Sequence, residues 1–283
     1  MLAACALFAV MANCVYAATR GQPATTASVV SFVRVTLNLV WLLIPAVLAG
    51  NPSSLLGDRR ASLWLRGLFG GISLILSFAC IQRIGPGESA FLTSSSGIFV
   101  AALGPWVLGQ RNDWLNWLAI GGAVAGMALL CQPGGMAGDW MGRLMGLASG
   151  FLAALAYLMI ARAGRTNSPR TVVFYFCLVS VLCHAVLFMG TGVEMPTGKA
   201  AWAWMLAAGI AGTLAQNYLT RSYQLAPAVL VSAVGYAAPV LSLALGFMLF
   251  DKLPNFIALV GCGLILLSGV ALPFFSVRRL KVT

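Results

Sequence analysis

The feature that most constrains this chain is a series of apolar runs, each about 20 residues long, separated by short clusters of charge. That length allows an α-helix to cross a hydrocarbon core roughly 30 Å thick. A helix also satisfies its backbone hydrogen bonds within one segment, as lipid requires. Since 60% of the residues are hydrophobic and only 8% are charged, the sequence predicts an all-α membrane protein.

Charged residues, prolines and glycines divide the sequence into ten predicted transmembrane helices. Their expected bounds are 2–19, 29–49, 62–82, 87–109, 114–131, 141–161, 171–190, 200–222, 227–250 and 255–275. The connections are short, so no soluble domain is expected between them. We interpret the first run as a span rather than a signal peptide, because the first cation, Arg20, follows it. A short leader ahead of Met1 is left open.

Lysine and arginine residues flank these spans unequally, and cytoplasmic loops of membrane proteins carry the excess of such residues. With a cytoplasmic N-terminus, the inner side holds Arg59, Arg60, Arg66, Arg111, Arg162, Arg165, Arg170, Arg221, Arg278, Arg279 and Lys281. The outer side then holds Arg20, Arg83, Arg143, Lys199 and Lys252, while Arg34 lies inside the second span. The asymmetry predicts that both termini are in the cytoplasm, and the expected location is the bacterial inner membrane.

The two halves of the chain resemble each other. Pro86 at the head of the fourth span aligns with Pro227 at the head of the ninth. Further along, Leu108-Gly109-Gln110-Arg111 aligns with Leu249-Phe250-Asp251-Lys252. Because each half holds an odd number of spans, the halves must insert with opposite topology, a device of transporters. We therefore predict two inverted five-helix repeats, residues 1–136 and 137–283.

Several other classes of protein lack support in the sequence. The net charge is +11, but the basic residues are dispersed rather than gathered on one face, which argues against nucleic-acid binding. No G-x-x-x-x-G-K-[ST] loop could hold a nucleotide. Six scattered acidic residues and one histidine predict neither an enzyme, a cofactor nor a metal site. The seven cysteines include no C-x-x-C pair and fall in or beside apolar runs, as small buried hydrophobes do.

A family resemblance is carried best by the second half. There Ala226-Pro227-Ala228 opens a helix, Pro239, Gly246 and Leu249-Phe250-Asp251-Lys252 follow, and a glycine-rich helix over 261–269 comes next. In the first half, Val33-Arg34 and the segment 86–103 add to it. In these motifs the chain resembles the drug/metabolite transporter superfamily, in its EamA-like branch of five-plus-five helices, over essentially its whole length.

The chain departs from the family pattern at three positions. Ile98 occupies the slot that matches Pro239, Gln110 occupies a usual glutamate slot, and Asp251 replaces another glutamate. These departures leave no motif that names a substrate. The resemblance still implies that helices one, three, four, six, eight and nine surround a central cavity.

Polar groups inside spans normally face the interior of a helix bundle, because lipid leaves them without partners. On the family resemblance, the candidate cavity residues are Asn13, Tyr16, Ser73, Ser77, Thr93, Ser94, Tyr157, Gln216, Asn217, Tyr218 and Tyr236. The alternative is that several of them only bond neighbouring helices.

Two charged residues and two prolines also stand out. Arg34 and Glu88 are expected at similar depth near the outer ends of their spans, as a structural ion pair or as a gate. Glu88 is the candidate proton carrier if transport is proton-coupled. Pro105 and Pro239 are candidate hinges, since proline kinks a helix. His184 is expected to be a satisfied core or interfacial histidine.

The resemblance implies alternating-access export of amino acids or related metabolites, opine-like metallophores included. The expected partners are a small-molecule substrate and the lipid bilayer, and a homodimer is left open. Two alternatives remain: uptake of a vitamin or nucleoside-like metabolite, and a membrane partner or sensor that transports nothing.

Overall fold

A computed structural model describes residues 1–20, 25–109, 114–130, 139–226, 228–251 and 256–280. Within these ranges the chain forms α-helices and one 3-10 turn, Pro52–Leu55. The helices are α1 (Leu2–Arg20), α2 (Ala27–Leu48), α3 (Ala61–Ile84), α4 (Pro86–Ser94), α5 (Ser96–Leu108), α6 (Trp114–Leu130), α7 (Trp140–Ala163), α8 (Pro169–Thr191), α9 (Lys199–Leu225), α10 (Ala228–Gly235), α11 (Ala237–Phe250) and α12 (Phe256–Leu280). The sequence features at Gln110, Arg111, Pro227, Lys252 and Lys281 lie outside the described residues.

Every predicted span coincides with a helix or with a broken pair of helices. The fourth span is α4 followed by α5, and the ninth is α10 followed by α11. In the described part of the chain, six helical stretches are long and apolar enough to cross a membrane: α1, α2, α3, α4 with α5, α7 and α8. Shorter apolar stretches lie at Trp117–Gly126, Ala237–Phe250 and Leu259–Gly269. The protein is therefore a multi-pass membrane protein.

The outer faces of the helices are apolar, as lipid contact requires. Leu48, Val186, Met189, Ile210 and Leu267 are all well exposed on the surface of the bundle. Such a surface would be unfavourable in water, but it matches the hydrocarbon of a bilayer. Many polar side chains of the spans, among them Asn13, Ser31 and Gln216, are buried inside the bundle.

Local signals position the helix ends. The side chain of Ser168 accepts a hydrogen bond from the amide of Thr171 at the start of α8, and Pro169 occupies the first turn. Asp139 does the same for Gly142 at the start of α7. Gly85 separates α3 from α4 with a φ of 90°, a conformation that glycine adopts without strain.

The packing of the bundle repeats under exchange of its halves. The most extensive contacts of the core are α3 against α7 and α1 against α9. When the first half of the chain is matched to the second, α1 corresponds to α7 and α3 to α9, so these two contacts are equivalent. The contacts of α3 with α8 and of α2 with α9 correspond in the same way, and α6 packs on α12. This pairing agrees with a two-repeat architecture.

Glycines allow the helices of the core to approach closely. A Cβ atom at Gly67 of α3 would lie 2.7 Å from the carbonyl oxygen of Tyr175 in α8. A Cβ at Gly126 of α6 would lie 2.8 Å from the carbonyl oxygen of Gly261 in α12. Small residues at such crossings are the usual packing device of membrane helices.

Candidate functional site

A cavity of about 180 Å³ lies where α1, α3, α4, α7 and α9 meet, with further side chains from α2, α5, α8 and α11. The family resemblance implied most of these helices, but not α2 and α8. Those two helices contribute Arg34 and Phe176, and α3 contributes Arg66. The two arginines make this cavity unusual for a membrane protein, because buried cations are costly in lipid.

Arg34 lies two turns into α2 and is only 2% exposed. One of its terminal nitrogens donates a hydrogen bond to the carbonyl oxygen of Gly212 in α9, at 3.4 Å. Its Nε and its other terminal nitrogen have no hydrogen-bond partner. The guanidinium carbon lies 5.9 Å from the ring centroids of Phe78 and Phe176. Aromatic faces therefore compensate part of the charge, and the free donors remain available.

Arg66, in the second turn of α3, is likewise 2% exposed. Its guanidinium carbon lies 4.5 Å from the centroid of Phe176, the same ring that faces Arg34. Its Nε has no hydrogen-bond partner. The sequence analysis counted Arg66 as a cation at the inner end of a span, whereas the structure buries it in the cavity. The predicted span 62–82 already contained Arg66, and α3 does begin at Ala61, so the position of this arginine inside an apolar helix was the signal for a cavity residue.

Six of the predicted cavity residues line this cavity: Ser73, Ser77, Thr93, Ser94, Tyr157 and Gln216. Several already have partners within the protein. Ser73 exchanges hydrogen bonds with Ser149 across α3 and α7, and the two hydroxyl oxygens are 3.1 Å apart. The hydroxyl of Thr93 donates to carbonyls of its own helix. The side-chain amide of Gln216 donates to Thr220 at 3.3 Å.

An aromatic wall forms another part of the lining. Tyr157 of α7 and Tyr223 of α9 stack with ring centroids 4.9 Å apart and an interplanar angle of 25°. Phe78 and Phe176 complete the wall beside the arginines. Such a wall offers both flat apolar surface and hydroxyl groups, the combination that suits amphipathic solutes.

The other five predicted cavity residues, Asn13, Tyr16, Asn217, Tyr218 and Tyr236, lie away from the lining. The amide of Asn13 donates to the carbonyls of Ala9 and Ser242, which ties α1 to α11. The ring of Tyr16 meets Phe250 edge-on at 5.0 Å. Tyr218 is 48% exposed on the outer face of α9, and Asn217 is half-buried beside it. The Tyr236 ring is buried near Gly269 of α12.

The expected contact between Arg34 and Glu88 does not form. Glu88 forms an ion pair with Arg143 of α7, at 3.7 Å. Nearby, Arg83 at the end of α3 pairs with Asp139 at 2.6 Å. Arg34 instead contacts Gly212 and the aromatic rings. Similar depth in the membrane therefore did not place Arg34 and Glu88 side by side.

His184 is fully buried between α2 and α8 and has a partner at each ring nitrogen. Its Nε2 is 2.6 Å from the hydroxyl of Ser31, and its Nδ1 is 2.7 Å from the carbonyl oxygen of Ser180. The histidine thus belongs to the packing between these helices, as the sequence analysis expected. It is not part of the cavity lining.

The helix breaks do not coincide with both predicted hinges. α11 begins at Ala237, and Pro239 in its first turn removes the amide that would continue α10, which explains the break at Tyr236. Pro105 lies inside α5, whereas the fourth span is interrupted at Ser95. There the hydroxyl of Ser95 donates to the carbonyl of Leu92 at 2.6 Å, a local bond that competes with the helix.

Another polar cluster lies near the N-terminal end of α3, opposite to the end that carries Arg83. The carboxylate of Asp58 accepts a hydrogen bond from the hydroxyl of Thr166 at 2.6 Å, and its backbone amide donates to the side chain of Asn167. The Thr166 bond, aided by Arg60, holds the pKa of Asp58 below its usual range. At the other end, partial burial of Asp139 is outweighed by hydrogen bonds from Arg83 and from the Gly142 amide, so its pKa is also lowered. The cavity lies between these two clusters.

Comparison with known proteins gives one family. The model of the EamA-like transporter family matches residues 1–132 and again residues 140–272. The two matches agree with the repeated packing of the helices. A crystal structure of a protein with 18% sequence identity superposes with a TM-score of 0.69 over 99% of this chain and 96% of that chain. That likeness shows a common fold.

Curated relatives are membrane transporters at low identity. The pseudopaline exporter CntI of Pseudomonas aeruginosa (strain UCBPP-PA14) is 26% identical over 210 residues, which are 74% of each chain. An uncharacterized transporter of Helicobacter pylori (strain J99) is 27% identical over 84% of this chain and 83% of its own. A riboflavin transporter of Vibrio cholerae is 26% identical over 63% of this chain and 59% of its own.

Proposed function

This chain belongs to the EamA-like transporter family, and on that premise we propose that it exports small zwitterionic or amphipathic metabolites, such as amino acids or their derivatives, by alternating access. The observation that carries the proposal is the cavity within the membrane-spanning bundle. Its lining combines cationic, hydroxyl, amide and aromatic groups, among them Arg34, Gln216 and Tyr157. Such a set can hold the carboxylate and the polar groups of a metabolite while aromatic rings pack on its apolar part.

The proposed topology has ten membrane crossings in two inverted repeats, residues 1–136 and 137–283, with both termini in the cytoplasm and the inner membrane as the location. The symmetric packing of α1, α3, α7 and α9 supports the two repeats. The excess of arginine on the side that faces the cytoplasm in this topology supports the orientation. In a pseudo-symmetric bundle, inward-open and outward-open states can exchange by rocking of one half against the other.

Export is the preferred direction because the pseudopaline exporter is among the relatives that match over most of both chains. Uptake of a vitamin or nucleoside-like metabolite is a second candidate. It is favoured by the stacked pair of Tyr157 and Tyr223, which presents a flat surface to a planar ring, and by the riboflavin transporters among the relatives. A homodimer, which the sequence left open, has no support in the described residues beyond their apolar outer surface.

The positions of the charged residues favour facilitated exchange over transport that is coupled to protons. Glu88, the candidate proton carrier, is held by Arg143 outside the lining of the cavity. Protonation of Glu88 would leave the buried Arg143 guanidinium without this charge partner. We therefore propose that Glu88 stabilises the arrangement of α4 and α7 and does not carry protons.

The test is counterflow of labelled amino acids and other metabolites into proteoliposomes, with and without an imposed pH gradient. The proposal expects substrate-specific exchange that survives both the loss of the gradient and the change Glu88→Gln. Exchange that stops in Glu88→Gln but not in the matched variant Asp139→Asn would restore the proton-carrier role. Absence of exchange by folded protein, with tolerance of Tyr157→Ala in cells, would favour the membrane partner that transports nothing.

A further inference from the structure

The cavity contains more positive charge than its own protein groups balance. Arg34 and Arg66 are both 2% exposed and both line it. Their guanidinium carbons lie 5.9 Å and 4.5 Å from the centroid of the same Phe176 ring, so the two cations are neighbours. Among the described lining residues there is no aspartate or glutamate. Two like charges thus share one low-dielectric space.

The carboxylates of the described chain are engaged or located elsewhere. Glu88 pairs with Arg143, Asp139 with Arg83, and Asp58 with Thr166 and Arg60. Glu194 and Asp251 are exposed at helix ends. None of these five can neutralise the cavity without a rearrangement of the helices, so the described part of the chain supplies no counter-charge to the two arginines.

Several N–H groups of the two guanidiniums have no hydrogen-bond acceptor among the described residues. Phe78 and Phe176 interact with the faces of the cations, but a ring face does not replace a hydrogen-bond acceptor for each N–H group. Arg34 Nε, one Arg34 terminal nitrogen and Arg66 Nε have no partner. A carboxylate fits the forked donors of a guanidinium with two parallel hydrogen bonds.

Glycines make the room for both cations. A Cβ atom at Gly70 would collide with a terminal nitrogen of Arg66, and a Cβ at Gly212 would collide with Nε of Arg34. The glycines of α3 and α9 therefore leave the space that the two guanidiniums occupy beside the cavity. This is a built arrangement of two forks, one from α2 and one from α3, around one small space.

We propose that the cavity selects metabolites that carry two carboxylates, one for each of Arg34 and Arg66, over analogues in which one carboxylate is an amide. The inference rests on the proposed transport function and narrows its substrate class from zwitterions in general to dicarboxylates. The aromatic wall of Tyr157 and Tyr223 packs against the carbon skeleton between the two anionic groups. A substrate of this kind supplies the negative charge that is absent from the described lining residues.

Matched pairs of solutes that differ by one charge test the inference: glutamate with glutamine, aspartate with asparagine, and succinate with succinamate. Each is measured by thermal stabilisation of the purified protein in detergent and by competition in proteoliposome counterflow. We expect the dicarboxylate of at least one pair to bind tenfold or more tightly than its amide. The ratio should fall toward one in Arg66→Gln. It should persist in Arg162→Gln, which removes an exposed arginine at the end of α7.

The controls separate this inference from the transport function. If Arg66→Gln fails to fold, Arg66→Lys keeps the charge but loses the fork, and a reduced ratio in that variant supports the inference equally. Equal binding of acid and amide in every pair, or an unchanged ratio in the Arg66 variants, would overturn it. Counterflow of neutral amino acids without any such preference would leave the transport function intact. Preferential binding of dicarboxylates without counterflow would leave the inference intact and contradict transport.

Discussion

Four arginines within or beside the membrane-spanning helices divide into two groups that differ in their partners. Arg83 and Arg143 lie near the junction of α3, α4 and α7 and face Asp139 and Glu88 at 2.6 Å and 3.7 Å. Arg34 and Arg66 lie deeper and face aromatic rings instead of carboxylates. A structural arginine in a membrane protein has its counter-charge in the chain. A buried arginine with no carboxylate partner among the described residues is a candidate ligand-binding group.

The largest expected effect is on transport. Arg34→Gln removes the guanidinium with the most unpartnered donors and keeps a polar side chain that can donate hydrogen bonds. A charged hydrogen bond contributes about 1.5–3 kcal/mol, so exchange should fall by roughly 10- to 100-fold in the ratio of rate to half-saturating concentration. Proteoliposome counterflow gives both parameters. If Arg34→Gln exchanged substrate as fast as the wild-type protein, the proposed difference in role between the two groups of arginines would be wrong.

The next largest effect is on stability and concerns the pair of Glu88 and Arg143. Glu88→Gln leaves Arg143, which is largely buried, without the carboxylate that faces it. Removal of one partner of a buried pair costs about 3 kcal/mol, and partial exposure of Glu88 reduces that figure. We expect a clear decrease in Tm in detergent at neutral pH. A Tm equal to that of wild type would show that this pair contributes nothing to the bundle.

Substitution of Arg34 or Arg66, the two arginines that face aromatic rings, should change the Tm in the opposite direction. Arg66→Met removes a buried cation that has no carboxylate partner among the described residues, and it keeps an apolar side chain of similar length. Loss of the contact with Phe176 offsets part of the gain. Apolar replacement of buried charge is often neutral or stabilising by about 1–3 kcal/mol, so we expect an unchanged or raised Tm together with impaired exchange. A decrease in Tm as large as that of Glu88→Gln would make Arg66 a structural residue.

A smaller effect is expected at the exposed pair. The side chains of Arg83 and Asp139 are 45% and 31% exposed. Such pairs contribute about 0.2–1 kcal/mol and are screened by salt. Asp139→Asn should therefore lower the Tm by a few degrees at most at low ionic strength and by less in high salt. A salt-independent loss would indicate that the hydrogen bond to the Gly142 amide at the start of α7, rather than the ion pair, is what matters.

The smallest effect is a change in stability at acid pH that depends on Asp58, near the start of α3. Because the Thr166 hydroxyl lowers the folded-state pKa of Asp58, the ionised carboxylate contributes stability above the ordinary aspartate pKa near 4. That contribution is lost as the pH falls through the lower folded-state value. The Tm difference between wild type and Asp58→Asn should therefore shrink from pH 6 to pH 3. A constant difference would mean that the carboxylate charge has no part in this cluster.

The fold was largely predictable because it depends on hydropathy. Runs of apolar residues with charge between them locate helices in lipid, and the described helices coincide with the predicted spans. The break at Ser95 was not predicted, since it comes from hydroxyl groups that bond the backbone locally rather than from a proline. The break beside Pro239 followed from the chemistry of proline.

The site was only partly predictable because the sequence does not give the rotation of each helix. Gln216, Asn217 and Tyr218 are consecutive, so their side chains point about 100° apart and cannot all face one cavity. Only Gln216 lines it, and Tyr218 faces outward. Depth along a span was equally insufficient for Glu88, whose partner depends on which helix lies beside α4. Arg66 was counted among the cations at the inner ends of the spans because it lies near the start of its helix, and its side chain was not expected to face the cavity.

The most direct test of the central claim measures the electrostatic potential of the cavity without knowledge of the substrate. Ser77, a lining residue that is half-buried, is replaced by cysteine in a background without the native cysteines. Its reaction rates with a sulfonate-bearing and a trimethylammonium-bearing methanethiosulfonate are compared, and the ratio is corrected with free cysteine in solution. The account predicts that the anionic reagent reacts at least about tenfold faster, and that Arg34→Gln and Arg66→Gln each reduce this ratio. Equal rates, or a faster cationic reagent, would contradict a cavity whose two arginines await an anionic substrate.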